Sequence, residues 1–445
     1  MANAMDITIE KLIYGGDGLA HHDGQTVFIP FVMPAERVSA GPVERKKKFV
    51  RARVERVIEP SPGRVVPRCG YFGECGGCHY QHIPAAAQLS YKVEILRETL
   101  RRIGGIEWNQ AIAAHASPPW GYRNRAQWKI RAMENLQAGP PGEASAAKLG
   151  IGYFRANSTA LCAVDDCAIL SPLLLKTLLA LRDLLDMGAL PRELREVEAF
   201  CSEENAESAA GLLLTAVFAG FPSRVRELAE KIRSVAPEAT SLLFQNSSGE
   251  RMELFGPGFL DYEVCGVNYR VGHLSFFQVN RFLANDLARE VAANEADGQL
   301  ALDLFAGVGL FSALLAKRFE RVVAVESNPA AVRDLEANSL RGRAQSGGSV
   351  EVRADEAERF LHKCKERPDL VVLDPPRAGL APGVIEKLAK LAPARITYVS
   401  CEPPTLARDL KALCAVGYSI ASVQLFDLFP QTFHMEAVVR LHRHS

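Results

Sequence analysis

The chain has 445 residues, 48% of them apolar, and 52 basic side chains balance 52 acidic ones to a formal net charge of zero. Such a length suits two or three domains with substantial cores, and zero net charge disfavours a nucleic-acid binder that works by bulk attraction, though not one whose basic residues are concentrated. The longest apolar runs break well short of the ~20 residues a membrane-spanning helix needs. The opening MANAMDITIEKLIYGG lacks the basic start and apolar stretch of a signal peptide. The ten cysteines therefore read as thiols and metal ligands of a reducing compartment rather than a disulfide framework. A soluble, cytoplasmic protein is expected, with no obligatory protein partner evident.

In chain order, residues 1–60 read as short strands. Gly15-Gly16-Asp17-Gly18 and His22-Asp23-Gly24 are hairpin signals between apolar runs such as TVFIPFVM and FVRARVERVI. A piece this small suits an antiparallel barrel, and Ser61-Pro62-Gly63 with Pro67 marks its boundary. Three cysteines follow in a Gly-rich loop, then residues 85–103 with helical apolar spacing that Gly104-Gly105 stops. The Gly, Pro, Ala and Glu of 134–148 predict an exposed loop, and 150–270 an α+β region. The working division is 1–60, 61–270 and 271–445.

Two basic clusters stand out: Arg45-Lys46-Lys47-Lys48 with Arg51 and Arg53, and Arg123, Arg125, Lys129 and Arg131 interleaved with Trp120, Tyr122 and Trp128. A solvated charged face is the ordinary meaning of such runs. Aromatic interleaving brings the second nearer to RNA binding, because bases stack on such rings.

From about residue 275 the strand candidates LALDLFAG, RVVAVES, VEVRAD, LVVLDPP and RITYVSC alternate with helix candidates. This is the pattern of a doubly wound α/β domain. Its first strand runs into Gly307 and Gly309, where the backbone can pass close to a ligand. Glu326 ends the second strand at the distance at which an acid holds ribose hydroxyls, and Asp355 follows the third, placed to meet a base edge. Phe311 or Ser312 stands near the third glycine of a dinucleotide fingerprint, so a ligand without pyrophosphate is favoured. The arrangement resembles the class I (Rossmann-like) S-adenosylmethionine methyltransferases.

Four pieces should meet at the carboxyl ends of this sheet: Phe276–Asn280, Asp374-Pro375-Pro376-Arg377, Ser400–Thr405 and Phe429–Glu436. Acidic-Pro-Pro loops suit nucleobase methylation, and Cys401 narrows the chemistry. Carbon 5 of uracil is a poor nucleophile until a thiolate adds to carbon 6, and a base must later remove the carbon 5 proton. One cysteine and one carboxylate at one pocket are required, and Cys401 and Glu436 supply them. The bland alternatives are a small buried residue at a strand end and a charge at the start of an edge strand.

Taken with the cysteine loop, the motifs YGGDGLA, SFFQVN, DLFAGVGLF, VVLDPPR, SCEPPT and DLFPQTFHME resemble the RNA 5-methyluridine methyltransferases over essentially the whole chain. Within them they are similar to the branch with an N-terminal OB-like TRAM β-barrel and an iron–sulfur cluster. The resemblance implies Cys401 as nucleophile, Glu436 as base, and Gln278, Phe305, Glu326, Asp355 and Asp374 as residues binding S-adenosylmethionine. Leu310 stands where some members have Asn. It also implies that residues 85–115 pack with the last domain, that RNA is the partner, and that the substrate is a uridine of 23S rRNA. The T-loop uridine of tRNA is the alternative, and a non-catalytic RNA-binding or ribosome assembly factor is the alternative of another class.

The loop Cys69-x5-Cys75-x2-Cys78 offers three thiolates, with Cys167 or Cys162 as candidates for a fourth. Spacing alone fits a structural zinc at least as well as a cluster. The resemblance implies a 4Fe–4S cluster with Cys167 as fourth ligand, leaving Cys162, Cys201, Cys265, Cys364 and Cys414 as ordinary buried thiols. The C-x3-C-x2-C of radical enzymes is not present in the sequence.

Overall fold

The computed structural model describes residues 4–133, 148–203, 210–293, 296–342 and 347–444; of the stretch 134–148 only Lys148 falls among them. Residues 5–59 form a curled six-stranded sheet in the order Met5–Thr8, Arg37–Arg45, Phe49–Glu59, Gln25–Pro30, Asp17–His22, Lys11–Leu12. Alternation builds it: Met5, Ile7, Val27, Ile29, Val38, Ala40, Val50 and Ala52 point into a small core of their own. The sheet is not wholly antiparallel, because Gln25–Pro30 runs parallel to Phe49–Glu59.

The middle region is a seven-stranded sheet from Leu161–Ala163 to Arg251–Phe255. The helices Pro172–Asp186 and Val225–Val235 share its core. Here the second basic cluster is corrected. In the strand Arg125–Ala132 the period of two turns Ala126, Trp128 and Ile130 inward. Tyr122 is also buried, donating to the Pro430 carbonyl. The outward Arg125 and Lys129 are ion-paired with Glu198 and Glu196. Tyr122 and Trp128 therefore offer RNA no stacking surface, whereas Trp120 is half-exposed with Arg68 over its ring. By contrast Arg45, Lys46, Lys47 and Lys48 lie exposed on the N-terminal sheet.

The third region is an eight-stranded sheet in the order Ser349–Ala354, Phe319–Glu326, Gly298–Leu304, Leu370–Leu373, Arg395–Ser400, Glu436–Arg443, Tyr418–Phe426, Ala113–His115. The first five strands are parallel, and Leu370–Leu373, covered on both faces, is wholly buried. Strand order reverses between Gly298–Leu304 and its two neighbours, which opens a crevice at the carboxyl ends. Glu436–Arg443 runs antiparallel between Arg395–Ser400 and Tyr418–Phe426. The hairpin Phe259–Val264 and Val267–Gly272 shares its core with the helices Ala284–Ala292 and Leu310–Leu315, so packing continues across residue 271.

Two early segments join this sheet. Ala113–His115 pairs with Gln424–Phe426 as its last strand. The helix Ala85–Thr99, continued by a wider turn at Leu100–Gly104, ends at Gly105 with φ 65°. Its buried face carries Gln88 and Lys92 as well as Ile95 and Leu96. The polar pair is buried because it has partners. Lys92 Nζ donates to Asp427 Oδ1 at 2.6 Å and to the Phe429 carbonyl at 3.1 Å. Gln88 exchanges hydrogen bonds with Gln431 through its side-chain nitrogen and oxygen.

A fully buried ion pair is worth little against an apolar replacement but much when only one partner is removed. Lys92→Met should therefore cost about 3–5 kcal/mol in urea unfolding, with Lys92→Met/Asp427→Asn recovering part of the loss. Equal instability of the single and double variants would show that the charge left behind is not the cause.

Candidate active site

The first parallel strand ends in a strained turn: Phe305, Gly307 and Gly309 have φ of 67°, 56° and 89°. A bulky residue in the left-handed region is costly and persists only where its surroundings demand it. A Cβ on Gly309 would stand 2.6 Å from Leu335 Cδ1, so close helix packing also requires that glycine. Glu326 holds the turn. Its carboxylate accepts from the backbone N–H of Gly307 at 2.9 Å, Ser327 at 2.8 Å and Asn328 at 2.7 Å.

Beside it lies a cavity of about 280 Å³ lined by Phe305, Glu326, Asp355, Glu356, Glu358 and Pro376, among others. Four carboxylates and no lysine or arginine line it, a setting that favours a cation and repels pyrophosphate. Beneath it Asp303 accepts from Ser312 Oγ at 2.5 Å, while its Oδ1 is buried without a partner. Burial pushes the Asp303 carboxyl up to about 7, and burial with Asp303 and Glu326 pushes Asp374 up to about 7. Phe305, Glu326 and Asp355 thus share one cavity and Asp374 faces Asp303 and Glu326. Gln278 is buried and does not line the cavity. Leu310, also buried, uses its carbonyl to accept from the Tyr269 hydroxyl.

The second group forms by strand register. Ser400 pairs with Ala437, so Cys401 and Glu436 leave their adjacent strands at the same level. Leu373 pairs with Tyr398 on the other side, which brings up Asp374. Burial, Glu436 and Asp374 push the Cys401 thiol up to about 11, against the charge and hydrogen bond of Arg377. Burial and Asp374 raise Glu436 well above the ordinary carboxylate range, again opposed by Arg377. Pro376 lines the acidic cavity and the next residue hydrogen-bonds Cys401, so one Asp-Pro-Pro-Arg loop joins the two groups.

The loop leading to Glu436 is tightly held. The Gln431 carbonyl accepts from the N–H of His79 at 2.8 Å and Tyr80 at 2.9 Å, in addition to the Gln88 contacts. His79, Phe433 and His434 form a ring cluster. Burial, Arg377 and neighbouring bases push His434 down to about 3, and burial with Lys92 pushes His79 down to about 4, so both are neutral. Sequence reasoning missed Asp303, Arg377 and the two histidines. Asp303 had a signal, a carboxylate inside the apolar strand LALDLF; the others become visible only in three dimensions.

Cys69, Cys75, Cys78 and Cys167 line a separate cavity of about 200 Å³ with Tyr71, Phe72 and Tyr153. Cys162 is fully buried next to Cys75 but does not line it. Among the described residues no three Cys, His, Asp or Glu side chains converge on a point fit for a single metal ion. Cys201 is buried, whereas Cys265, Cys364 and Cys414 are partly exposed, which corrects the expectation that all were buried.

Residues 260–444 match the family model described as tRNA (Uracil-5-)-methyltransferase. The 23S rRNA (uracil(1939)-C(5))-methyltransferase RlmD of Alkalilimnicola ehrlichii is 33% identical, over 99% of this chain and 97% of its own. The chain belongs to the RNA uracil-5-methyltransferase family. An RNA methyltransferase of Aquifex aeolicus is likewise 33% identical over 98% of both chains. The crystal structure of the Pyrococcus abyssi tRNA (uracil-54, C5)-methyltransferase with S-adenosyl-L-homocysteine superimposes with a TM-score of 0.73, at 26% identity over 98% of this chain and 100% of that one. The class I fold, and S-adenosylmethionine as the methyl donor of this uracil-5-methyltransferase, follow.

No helix among the described residues is long and apolar enough to cross a membrane. The acidic lining of the cavity is compatible with a cationic ligand.

The raised carboxyls give a pH signature. Folded Asp303 and Asp374 keep protons that the unfolded chain has lost, so stability is fully present below the ordinary carboxylate range and falls as pH rises through about 7. Binding of the cationic adenosylmethionine should strengthen several-fold between about pH 6 and about pH 8, while the melting temperature of the unliganded protein falls. Calorimetry and thermal melts would check both, and Asp303→Asn should flatten each trend. A trend unchanged in that variant would assign it to other groups.

Proposed function

We propose that this methyltransferase acts on carbon 5 of a uridine in 23S rRNA through a covalent adduct of Cys401 with carbon 6. The observation carrying the reading is the register that sets Cys401 and Glu436 side by side, joined to the cofactor crevice by Asp374–Arg377. Arg377 stabilises the Cys401 thiolate, which adds to carbon 6 and makes carbon 5 nucleophilic. Adenosylmethionine, when bound, supplies an electrophilic methyl group; Phe305, Glu326, Asp355 and Asp374 hold it, with Gln278 placed there by family resemblance alone. Glu436 takes the carbon 5 proton once Arg377 and the substrate have brought it to its carboxylate form, and elimination then releases the Cys401 thiolate. A base so deeply enclosed is reached only by a nucleotide swung out of its stack.

RlmD relatives at 33% identity favour ribosomal RNA, and the tRNA enzyme of similar fold at 26% makes the T-loop uridine the second reading. The presence of both Cys401 and Glu436 counts against a non-catalytic assembly factor. In this reading residues 1–60 form a TRAM barrel touching RNA through Lys46–Lys48, residues 61–270 a cysteine-bearing central domain, and residues 271–445 the catalytic domain. The free thiols suit a cytoplasmic setting.

Cys69, Cys75, Cys78 and Cys167 would hold a 4Fe–4S cluster. Four thiols spread around a cavity of about 200 Å³ suit a cluster better than one zinc with bonds of about 2.3 Å. The methylation is redox-neutral, so the cluster's part is structural.

With tritiated-methyl adenosylmethionine and RNA from a host lacking the protein, label should appear as 5-methyluridine in 23S rRNA and vanish with Cys401→Ala. Glu436→Gln should accumulate a denaturant-resistant protein–RNA adduct. Label in tRNA would move the substrate, and no label in either RNA would support the assembly-factor reading. Anaerobically purified protein should contain about four irons and four acid-labile sulfides per chain; one zinc and no sulfide would replace the cluster by zinc.

A further inference from the structure

The residues nearest the nucleophile along the chain are not the only ones that hold it. The turn between Lys11–Leu12 and Asp17–His22 of the N-terminal sheet reaches the catalytic loops. Tyr14 Oη donates to Glu402 Oε2 at 2.9 Å and lies 3.5 Å from the Cys401 carbonyl oxygen, 387 residues away in sequence. Its ring meets Phe433 edge-on, with centroids 5.4 Å apart. Gly16, at φ 93°, fits where a Cβ would stand 3.1 Å from Phe433 and 3.4 Å from His79. Lys11 is ion-paired with Glu98 on the helix that also holds the Glu436 loop. One turn of the first domain is therefore wedged between the loop carrying the nucleophile and the loop carrying the base.

We propose that Tyr14 is a positioning residue of the methyl transfer, so that the N-terminal sheet completes the active site as well as contacting RNA. Residues 402–405 form a helix start without a side-chain cap, and Glu402 itself occupies the capping position. The backbone here is tied locally: Ser400 Oγ accepts from the Glu402 N–H, the Leu406 N–H and the Thr405 hydroxyl donate to the Glu402 carbonyl, and Thr405 also reaches the Arg377 carbonyl, but none of these bonds holds the Glu402 carboxylate. The Tyr14 hydroxyl adds the tie that fixes the Glu402 side chain and, through it, the backbone from which the Cys401 thiol projects. Burial and the Glu402 carboxylate push the Tyr14 hydroxyl well above its ordinary range, so it stays protonated and donates throughout the working pH range. The ring contact with Phe433 ties the same side chain to the base loop, which links the spacing of Cys401 and Glu436 to the seating of the first domain.

The inference rests on Cys401 being the nucleophile, and the test separates the two. Tyr14→Phe keeps the ring against Phe433 and removes only the hydroxyl. It should lower kcat about tenfold with the KM for RNA within about twofold. The same substitution in a Glu402→Ala background should have no further effect, because the hydroxyl acts through that carboxylate. Independently of RNA, alkylation of Cys401 by iodoacetamide, followed by peptide mass spectrometry, should quicken at least threefold in Tyr14→Phe as the loop loses a tether. Circular dichroism and melting temperature within about 3 °C of wild type would exclude general unfolding. A wild-type kcat and alkylation rate in Tyr14→Phe, or a loss confined to KM, would overturn the positioning role. A methyltransferase that keeps full activity as Cys401→Ala would instead sink the nucleophile assignment and leave the alkylation result to judge the tether.

Discussion

The structure turns on one strand pairing. Glu436–Arg443 enters the sheet antiparallel to Arg395–Ser400 in the register that opposes Ser400 and Ala437. A slip of one residue would turn Glu436 to the opposite face of the sheet. Packing opposes it, because Ala437, Val439 and Leu441 fill one core and Val438 the other, and a slip would exchange side chains of different size between them. Burial on both faces thus enforces a register that also sets a thiol and a carboxylate at one level.

That arrangement gathers acids where water is scarce. Asp303, Asp374 and Glu436 cannot all ionise cheaply so close together, and Arg377 alone opposes both Glu436 and Cys401. Burial and mutual repulsion thus hold Asp303 and Asp374 partly protonated near pH 7. The cost is the instability of unpaired acids beneath a strained Phe305, and it is borne by a packed sheet whose central strand Leu370–Leu373 is fully buried.

The loops depend on the rest of the molecule. Asp427–His434 is held from several directions, among them Lys92 and Gln88 of the helix Ala85–Thr99, His79 and Tyr80 just after the cysteine loop, Tyr122 ahead of the central sheet, and Asn280. The backbone run from Cys78 to Tyr80 therefore joins the cysteine-lined cavity to the approach to Glu436 without any electron having to pass.

Much of this was legible in the sequence. The alternation of strands and helices after residue 275 and the glycine turn with Glu326 depend on local periodicity, and the proximity of Cys401 and Glu436 was expected from their place at strand ends. Within residues 120–131 the sequence did not show which rings face a core, because interleaved aromatic and basic residues look alike either way; the pairing of Arg125–Ala132 with Leu194–Ser202 turned Trp128 inward. The orphaned oxygen of Asp303, Arg377 against the thiol, and Tyr14 against Glu402 likewise came from tertiary structure. Each is a contact between segments tens to hundreds of residues apart, whose energy depends on distance and burial. The sequence by itself determined the family and the class of fold, since those follow from motifs, residue type and local order. Packing determined which groups share a low-dielectric space, and with it their charge states and their neighbours.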